Sequence, residues 1–401
     1  MIITSKIRFL FLTLAALIIV RAPNAQAAIP SGEQNALVTI AAIFPSLGWN
    51  LANDPCTFHG VTCSAGETNV IGINLSNQNL QADLQNVPLN AFTKLQTFDA
   101  SYNKLTGTFP DLSGLTTLYT FNTYENQLTG TIPSLSGLTS LQVFDVGNNA
   151  FTGTIPTLTG LAALYDFSAP FNKLTGPLPS FFGLNLNIFD VGNNNLVGTI
   201  PPINSSNFIY FSINNNQLTG TLPELDGLVN LATFDASNNQ LIGPIPSLAS
   251  TTKLVAFSAE NNALTGAFPD LTNTTILRSL NVSNNQLTGP ITSLAELTDL
   301  QYFAANQNKL NGSIPSLAGL SALKNFYVGA NLLTGPVPAA TSGLMAGGSS
   351  LCPNRLLTTP SANDAAWDAA TENSPWWATP SANNLCDELF EEGFEQNFVS
   401  P

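Results

Sequence analysis

Positive charge and histidine are what this 401-residue sequence has least of: 11 Lys and Arg stand against 25 Asp and Glu, and His59 is the single histidine. So few cations exclude a nucleic-acid or anionic-membrane partner, since both require clustered Lys and Arg. One histidine and four cysteines exclude a zinc centre, which needs several such ligands close together. Neither a nucleophile elbow nor a phosphate-cradling loop is visible, so the chain reads as no enzyme and as needing no cofactor and no metal. Carboxylate pairs at glycosidase spacing are the one exception, and nothing marks one as the acid and another as the base.

Long apolar runs are also missing. The stretch from Phe9 to Val20 is too short for a bilayer core of roughly 30 Å. It follows Lys6 and Arg8 and precedes Ala25-Gln26-Ala27, the form of a secretory signal peptide over residues 1–27. The mature chain is then exported, with a net charge of about −17, which suits solubility or a basic or cation-bridged partner.

Cysteine is sparse and local. Cys56 and Cys63 lie near one end, Cys352 and Cys386 near the other. Four cysteines allow three pairings, and only the two end-local bonds bring Cα atoms within reach across the repeats described next. An oxidising compartment supports both.

What the sequence has in abundance is one sentence, Leu95-Gln-Thr-Phe-Asp-Ala-Ser-Tyr-Asn-Lys-Leu-Thr-Gly-Thr-Phe-Pro110, repeated down the chain. Its Phe or Leu anchor recurs at 98, 121, 144, 167, 189, 211, 234, 257, 280, 303 and 326. A fixed period of this length means a solenoid, in which each turn buries its apolar face on the next. Phe98 and Ala100 alternate with Thr97, Asp99 and Ser101, the period of a short strand with one buried face. Gly107 and Pro110 turn the chain back. Eleven repeats plus a degenerate one from Ile73 to Leu84 predict about twelve strands, and a sheet about 50–55 Å long.

A recurring Asn closes each strand: Asn103, Asn126, Asn149, Asn172, Asn194, Asn216, Asn239, Asn262, Asn285, Asn308 and Asn331. Its amide offers donors and an acceptor to backbone groups of adjacent turns, which marks these residues as a structural ladder. Before the array, Ser31-Gly-Glu-Gln34 has the form of a capping box for a helix carrying Leu37, Ile40, Ala41 and Phe44 and ended by Pro45. The organisation expected is an N-terminal cap over 28–72, a solenoid over 73–338, a Gly-rich connector over 339–350, and a C-terminal cap with an acidic tail over 351–401. In that cap Thr359-Pro-Ser-Ala-Asn363 recurs as Thr379-Pro-Ser-Ala-Asn383, each Ser placed to cap a short helix. Trp367, Trp376 and Trp377 are expected to plug the open end of the stack.

The pattern Leu-x-x-Leu-x-Leu-x-x-Asn-x-Leu-x-Gly-x-Ile-Pro, written here as Leu141-Gln-Val-Phe-Asp-Val-Gly-Asn-Asn-Ala-Phe-Thr-Gly-Thr-Ile-Pro156, resembles the plant-type leucine-rich repeat. The segment from Trp49 to Cys63 is similar to the N-terminal cap of plant receptor ectodomains and polygalacturonase inhibitors, with Phe58 where those usually carry Trp. The resemblance implies an α/β solenoid: a right-handed superhelix, a concave parallel sheet, short 3₁₀ turns behind, and recognition of proteins, peptides or glycans as its trade. The ending Cys386-Asp-Glu-Leu-Phe-Glu-Glu-Gly-Phe-Glu395 is instead similar to the tails of some secreted bacterial proteins.

With 98 and 100 facing inward, neighbouring positions line the hollow. Candidate ligand-binding residues are Asp99, Tyr102, Tyr124, Asp145, Asp166, Asp190, Tyr210, Asp235, Tyr302 and Tyr327, with Glu125, Phe171 and Glu260 on the same flank. The function they suggest is a secreted recognition module for an extracellular protein, peptide or polysaccharide on the concave face. The alternative is a structural solenoid that adsorbs to ice or matrix through recurring Thr-Gly-Thr triplets, and a glycan-active enzyme comes last.

Overall fold

The computed structural model describes residues 29–203, 206–358 and 361–377. The expected signal peptide, Cys386, the second Thr-Pro-Ser-Ala-Asn copy and the acidic tail lie outside the described residues.

Among those residues one sheet holds fourteen strands. It opens with an antiparallel pair, Val61–Cys63 on Val70–Asn74, and then continues in parallel. Every repeat contributes a three-residue strand, from Thr97–Asp99 and Thr120–Asn122 through to Asn325–Tyr327. The register puts anchor beside anchor, Phe98 on Phe121 on Phe144 on Phe167. Their rings stack at 5.5, 5.6 and 5.6 Å. The spine continues through Phe189, Phe211, Phe234 and Phe257 and is interrupted by Leu280. Each ring is buried, worth roughly 1.5–3 kcal/mol relative to an exposed side chain. No single turn could bury its ring alone.

The Asn ladder forms as the repeat demands. Asn103 Nδ2 donates to the carbonyls of Leu75, Ala100 and Ser101, while its Oδ1 accepts from the Leu80 amide at 2.9 Å. The residue before each ladder Asn has positive φ: Asn148 at 53°, Asn193 at 58°, Asn238 at 55°. Asn tolerates this left-handed conformation best among residues with a side chain, which accounts for the recurrent Asn-Asn pair.

Behind the sheet, consecutive three-residue turns replace regular helix, as in Leu138 N to Leu135 O and Leu141 N to Leu138 O. Formal 3₁₀ helices occupy Leu84–Asn86 and Leu89–Ala91. A second set of parallel ladders, not foreseen in the sequence, runs through the Thr-Gly-Thr region. Thr175–Gly176, Asn195–Thr199 and Gln217–Thr219 form its longest piece.

The ends differ from expectation in two places. Helix α1, Ser31–Ile43, has Pro30 at its N-cap and no side-chain cap, so the capping box does not form. Glu33 turns into the protein and accepts from Val70 N at 2.6 Å and Asn69 Nδ2 at 3.0 Å, tying the helix to the first long strand. At the other end, the stretch 339–350 is not a plain connector, because Ser349–Ser350 pairs with Asn325–Tyr327 and extends the sheet. Asn354 extends the Asn ladder there, accepting from Leu333 N at 2.9 Å and donating to Val328 O at 2.8 Å. Beyond it, Trp367 on helix α2, Asp364–Thr371, and Trp376 are buried against the last turn. Trp367 also donates to the Pro338 carbonyl at 2.8 Å. Cys56 and Cys63 are bonded.

Candidate functional site

The concave face is a set of columns running along the stack. The column just after the anchor carries Asp99, Asn122, Asp145, Ser168, Asp190 and Ser212 in continuous register. The structure gives this column a local task. Oδ1 of Asp99 accepts the Ser101 amide at 2.9 Å, Asn122 accepts that of Tyr124 at 3.0 Å, and Asp145 accepts that of Gly147 at 3.0 Å. Each is an Asx turn that ends the strand. Where the column switches to Ser, the polarity reverses. Ser212 Oγ donates to Asn214 at 3.0 Å, and Ser258 Oγ donates to Glu260 at 2.6 Å. Alternation of Asp with Ser is therefore first a property of strand termination.

Burial then grades the acidic residues. Asp190 is only 9% exposed, so it lies in the floor more than on it, whereas Asp99, Asp145 and Asp166 are half-buried. Burial pushes the Asp235 carboxyl up, against the opposing hydrogen bonds from Ser237. Burial also raises Glu260, again opposed by Ser258, and the Asp235 charge adds to the rise. Glu260 thus senses the Asp235 charge. Among the described residues no group of three or more His, Cys, Asp or Glu could hold a metal ion.

The aromatic candidates fall into two groups. Tyr102 meets Tyr124 edge-on at 5.4 Å. Tyr302 meets Tyr327 at 5.8 Å, and its hydroxyl pKa is raised by burial, then by Tyr327 and Glu260. Tyr210 sits half-buried in the column before the anchor, level with Ile188 and Thr233. Phe171 is exposed, and both it and Tyr102 occupy the positive-φ position that Asn takes on most turns. The sequence reading missed Tyr119 and Tyr165, exposed at 37% and 42% two residues ahead of their anchors. The signal was present: the buried Leu one residue earlier fixes that column on the solvent side.

The Thr-Gly-Thr triplets also have a packing role. Thr129 and Thr152 donate through Oγ1 to the Gly107 and Gly130 carbonyls of the preceding turn, both at 3.1 Å. The Thr131 methyl lies 2.8 Å from where a Cβ on Gly153 would stand.

Stacked three-residue parallel strands joined by an internal Asn ladder give a leucine-rich repeat solenoid fold, similar to that of plant receptor ectodomains. Residues 277–297 match the Leucine Rich Repeat family profile, and no curated protein sequence matches the chain. The PEPR1–AtPEP1 crystal structure is similar at TM-score 0.71 and 26% identity, over 82% of this chain and 52% of that one. The LRR ectodomain of the plant membrane receptor kinase GASSHO1/SCHENGEN3 from Arabidopsis thaliana, in complex with Casparian strip integrity factor 2, gives 0.58 at 24% identity, over 80% and 53%. A plant ice-binding protein gives 0.54 at 24% identity, over 75% and 93%. The chain spans about half the length of the two receptor structures.

Proposed function

We propose that this chain is a secreted, non-enzymatic recognition module that holds an extracellular protein, peptide or polysaccharide against its concave sheet. The observation that carries the reading is the clustering of half-exposed carboxylates and tyrosines on that one face, over a rigid spine of stacked Phe. Rigid solenoids bind through such surfaces because little ordering is lost on association. The likeness to PEPR1, solved together with AtPEP1, supports the reading by analogy of fold. No described helix is long and apolar enough to cross a membrane.

A panel of synthetic peptides and oligosaccharides, screened against the whole chain, tests this. Asp145→Lys with Asp190→Lys is expected to abolish capture of any bound member, while Thr152→Lys on the outer ladder leaves it intact. Capture unaffected by the concave pair rejects the reading.

One observation favours the second reading, adsorption to an ordered surface. At one position of the repeat, Thr152, Thr175, Val197, Thr219 and Ile242 are all exposed, uncharged and β-branched. The ice-binding protein shares the fold. Ice shaping by the purified chain, lost in Thr152→Lys, would promote this reading, and unaltered ice growth removes it.

A further inference from the structure

Along the leading edge of the concave sheet, the position two before each anchor reads Tyr119, Gln142, Tyr165, Asn187, Ile209 on successive turns. Their backbones form one ladder: Gln142 N to Tyr119 O at 2.8 Å, Tyr165 N to Gln142 O at 3.0 Å, Asn187 N to Tyr165 O at 2.8 Å. Two tyrosines, Tyr119 and Tyr165, therefore stand two rungs apart with the Gln142 amide between them, and Ile209 takes the next alternate rung. Two rungs span roughly 9–10 Å, close to the two-sugar repeat of an extended β-1,4-linked chain.

The opposite edge carries a second aromatic feature. Tyr102 keeps φ at 55°, a conformation most other turns assign to Asn, and stays 48% exposed beside Tyr124. Packed against Tyr124 with half its surface open, Tyr102 extends the aromatic lining one turn ahead of strand Thr120–Asn122.

Between these edges the floor sets the polar Thr120, Asn122, Asp145 and Asp166 among the apolar Val143 and Ile188. No Lys or Arg occurs in the columns flanking the anchors on these turns. Carboxylates accept hydrogen bonds from hydroxyls and repel anionic ligands, and ring faces stack on apolar sugar faces. A polyproline helix has a similar repeat of about 9.3 Å. Its prolines donate no hydrogen bonds, however, and burying acceptors without donors is costly. The floor therefore favours hydroxyls.

We propose that the concave face from strand Thr120–Asn122 to strand Ile188–Asp190 binds a neutral, unbranched β-1,4-linked glycan along the solenoid axis, with Tyr119 and Tyr165 stacking on alternate sugars. The proposal rests on the concave face being the recognition surface and names its ligand.

The test is calorimetric titration of the whole chain with cellohexaose and chitohexaose. Laminarihexaose, oligogalacturonate and decaproline serve as comparison probes. At least one β-1,4 hexaose is expected to bind, with each comparison probe weaker by tenfold or more. Tyr119→Ala with Tyr165→Ala is expected to cost at least tenfold in affinity, while the Phe pair stays within twofold. Circular dichroism confirms that each variant is folded. Silence of both hexaoses, tighter binding of decaproline, or full affinity in the Ala pair overturns the assignment. If the hexaoses are silent while Asp145→Lys with Asp190→Lys abolishes capture of another probe, the glycan falls and the recognition reading stands. If no concave variant changes any capture, both fall.

Discussion

Asn172 bridges two turns of the stack: its Oδ1 accepts the Phe151 amide at 2.9 Å while its Nδ2 donates to the Val146 carbonyl at 3.0 Å. The same nitrogen also reaches Ala169 O and Pro170 O. Asn172→Ala leaves buried backbone groups unpaired and is expected to cost about 1–3 kcal/mol. Asn172→Asp keeps the acceptor, loses the donors and buries a charge, so it is expected to be no better. Urea unfolding of both variants checks this, and an Asp variant as stable as wild type would contradict the donor role.

Gly153 and Thr131 form a second inter-turn pair. Gly153 has φ of 74°, and a Cβ there would stand 2.8 Å from Thr131 Cγ2. Gly153→Ala is expected to destabilise by about 1–2 kcal/mol, combining backbone strain with the clash. Thr131→Ser removes the methyl, so the double variant is expected to lose less than the two singles together. Strict additivity in thermal unfolding would show that the contact contributes nothing.

Thr123 Oγ1 is buried with no hydrogen-bond partner, in the inward column beside Ala100 and Val146. Val has nearly the same shape without the hydroxyl. Thr123→Val is expected to stabilise the chain by about 1 kcal/mol, read as a higher urea midpoint at unchanged slope. A fall in midpoint contradicts the unpaired state.

Asp235 and Glu260 are raised chiefly by burial, so the folded chain binds protons more readily there than the unfolded chain does. Their cost to stability is absent below the ordinary carboxylate range. It grows as pH rises through the window up to the raised values and stays constant above it. Asp235→Asn with Glu260→Gln keeps an oxygen that accepts from Ser237 and from Ser258 and removes the charges. The pair is expected to raise Tm at pH 7, with the gap closing towards pH 3.5. A gap independent of pH would refute the assignment.

Much of this was legible because the repeat writes each constraint eleven times. Phe98 and its successors had to stack, Asn103 and its successors had to bridge turns, and the acidic and aromatic columns had to face the hollow. Single events were less legible. Ser31 and Gln34 had the spacing of a capping pair, yet the helix starts after Pro30 without a side-chain cap, and Glu33 between them ties it to Val70. Residues 339–350 broke the pattern in composition while Ser349 and Asn354 kept it in space. Asp99 and Asp145 read only as a ligand row, and that each also ends its strand through an Asx turn needed the structure.

The period alone determined that this chain stacks, because no isolated turn can bury a Phe, a Leu and an Asn amide together. Only the tertiary structure decided which surface residues meet, since Tyr119 and Tyr165 are 46 positions apart in sequence and about 10 Å apart across two rungs. It also decided how far each carboxylate sinks, because burial depends on neighbours from adjacent turns that no single repeat contains.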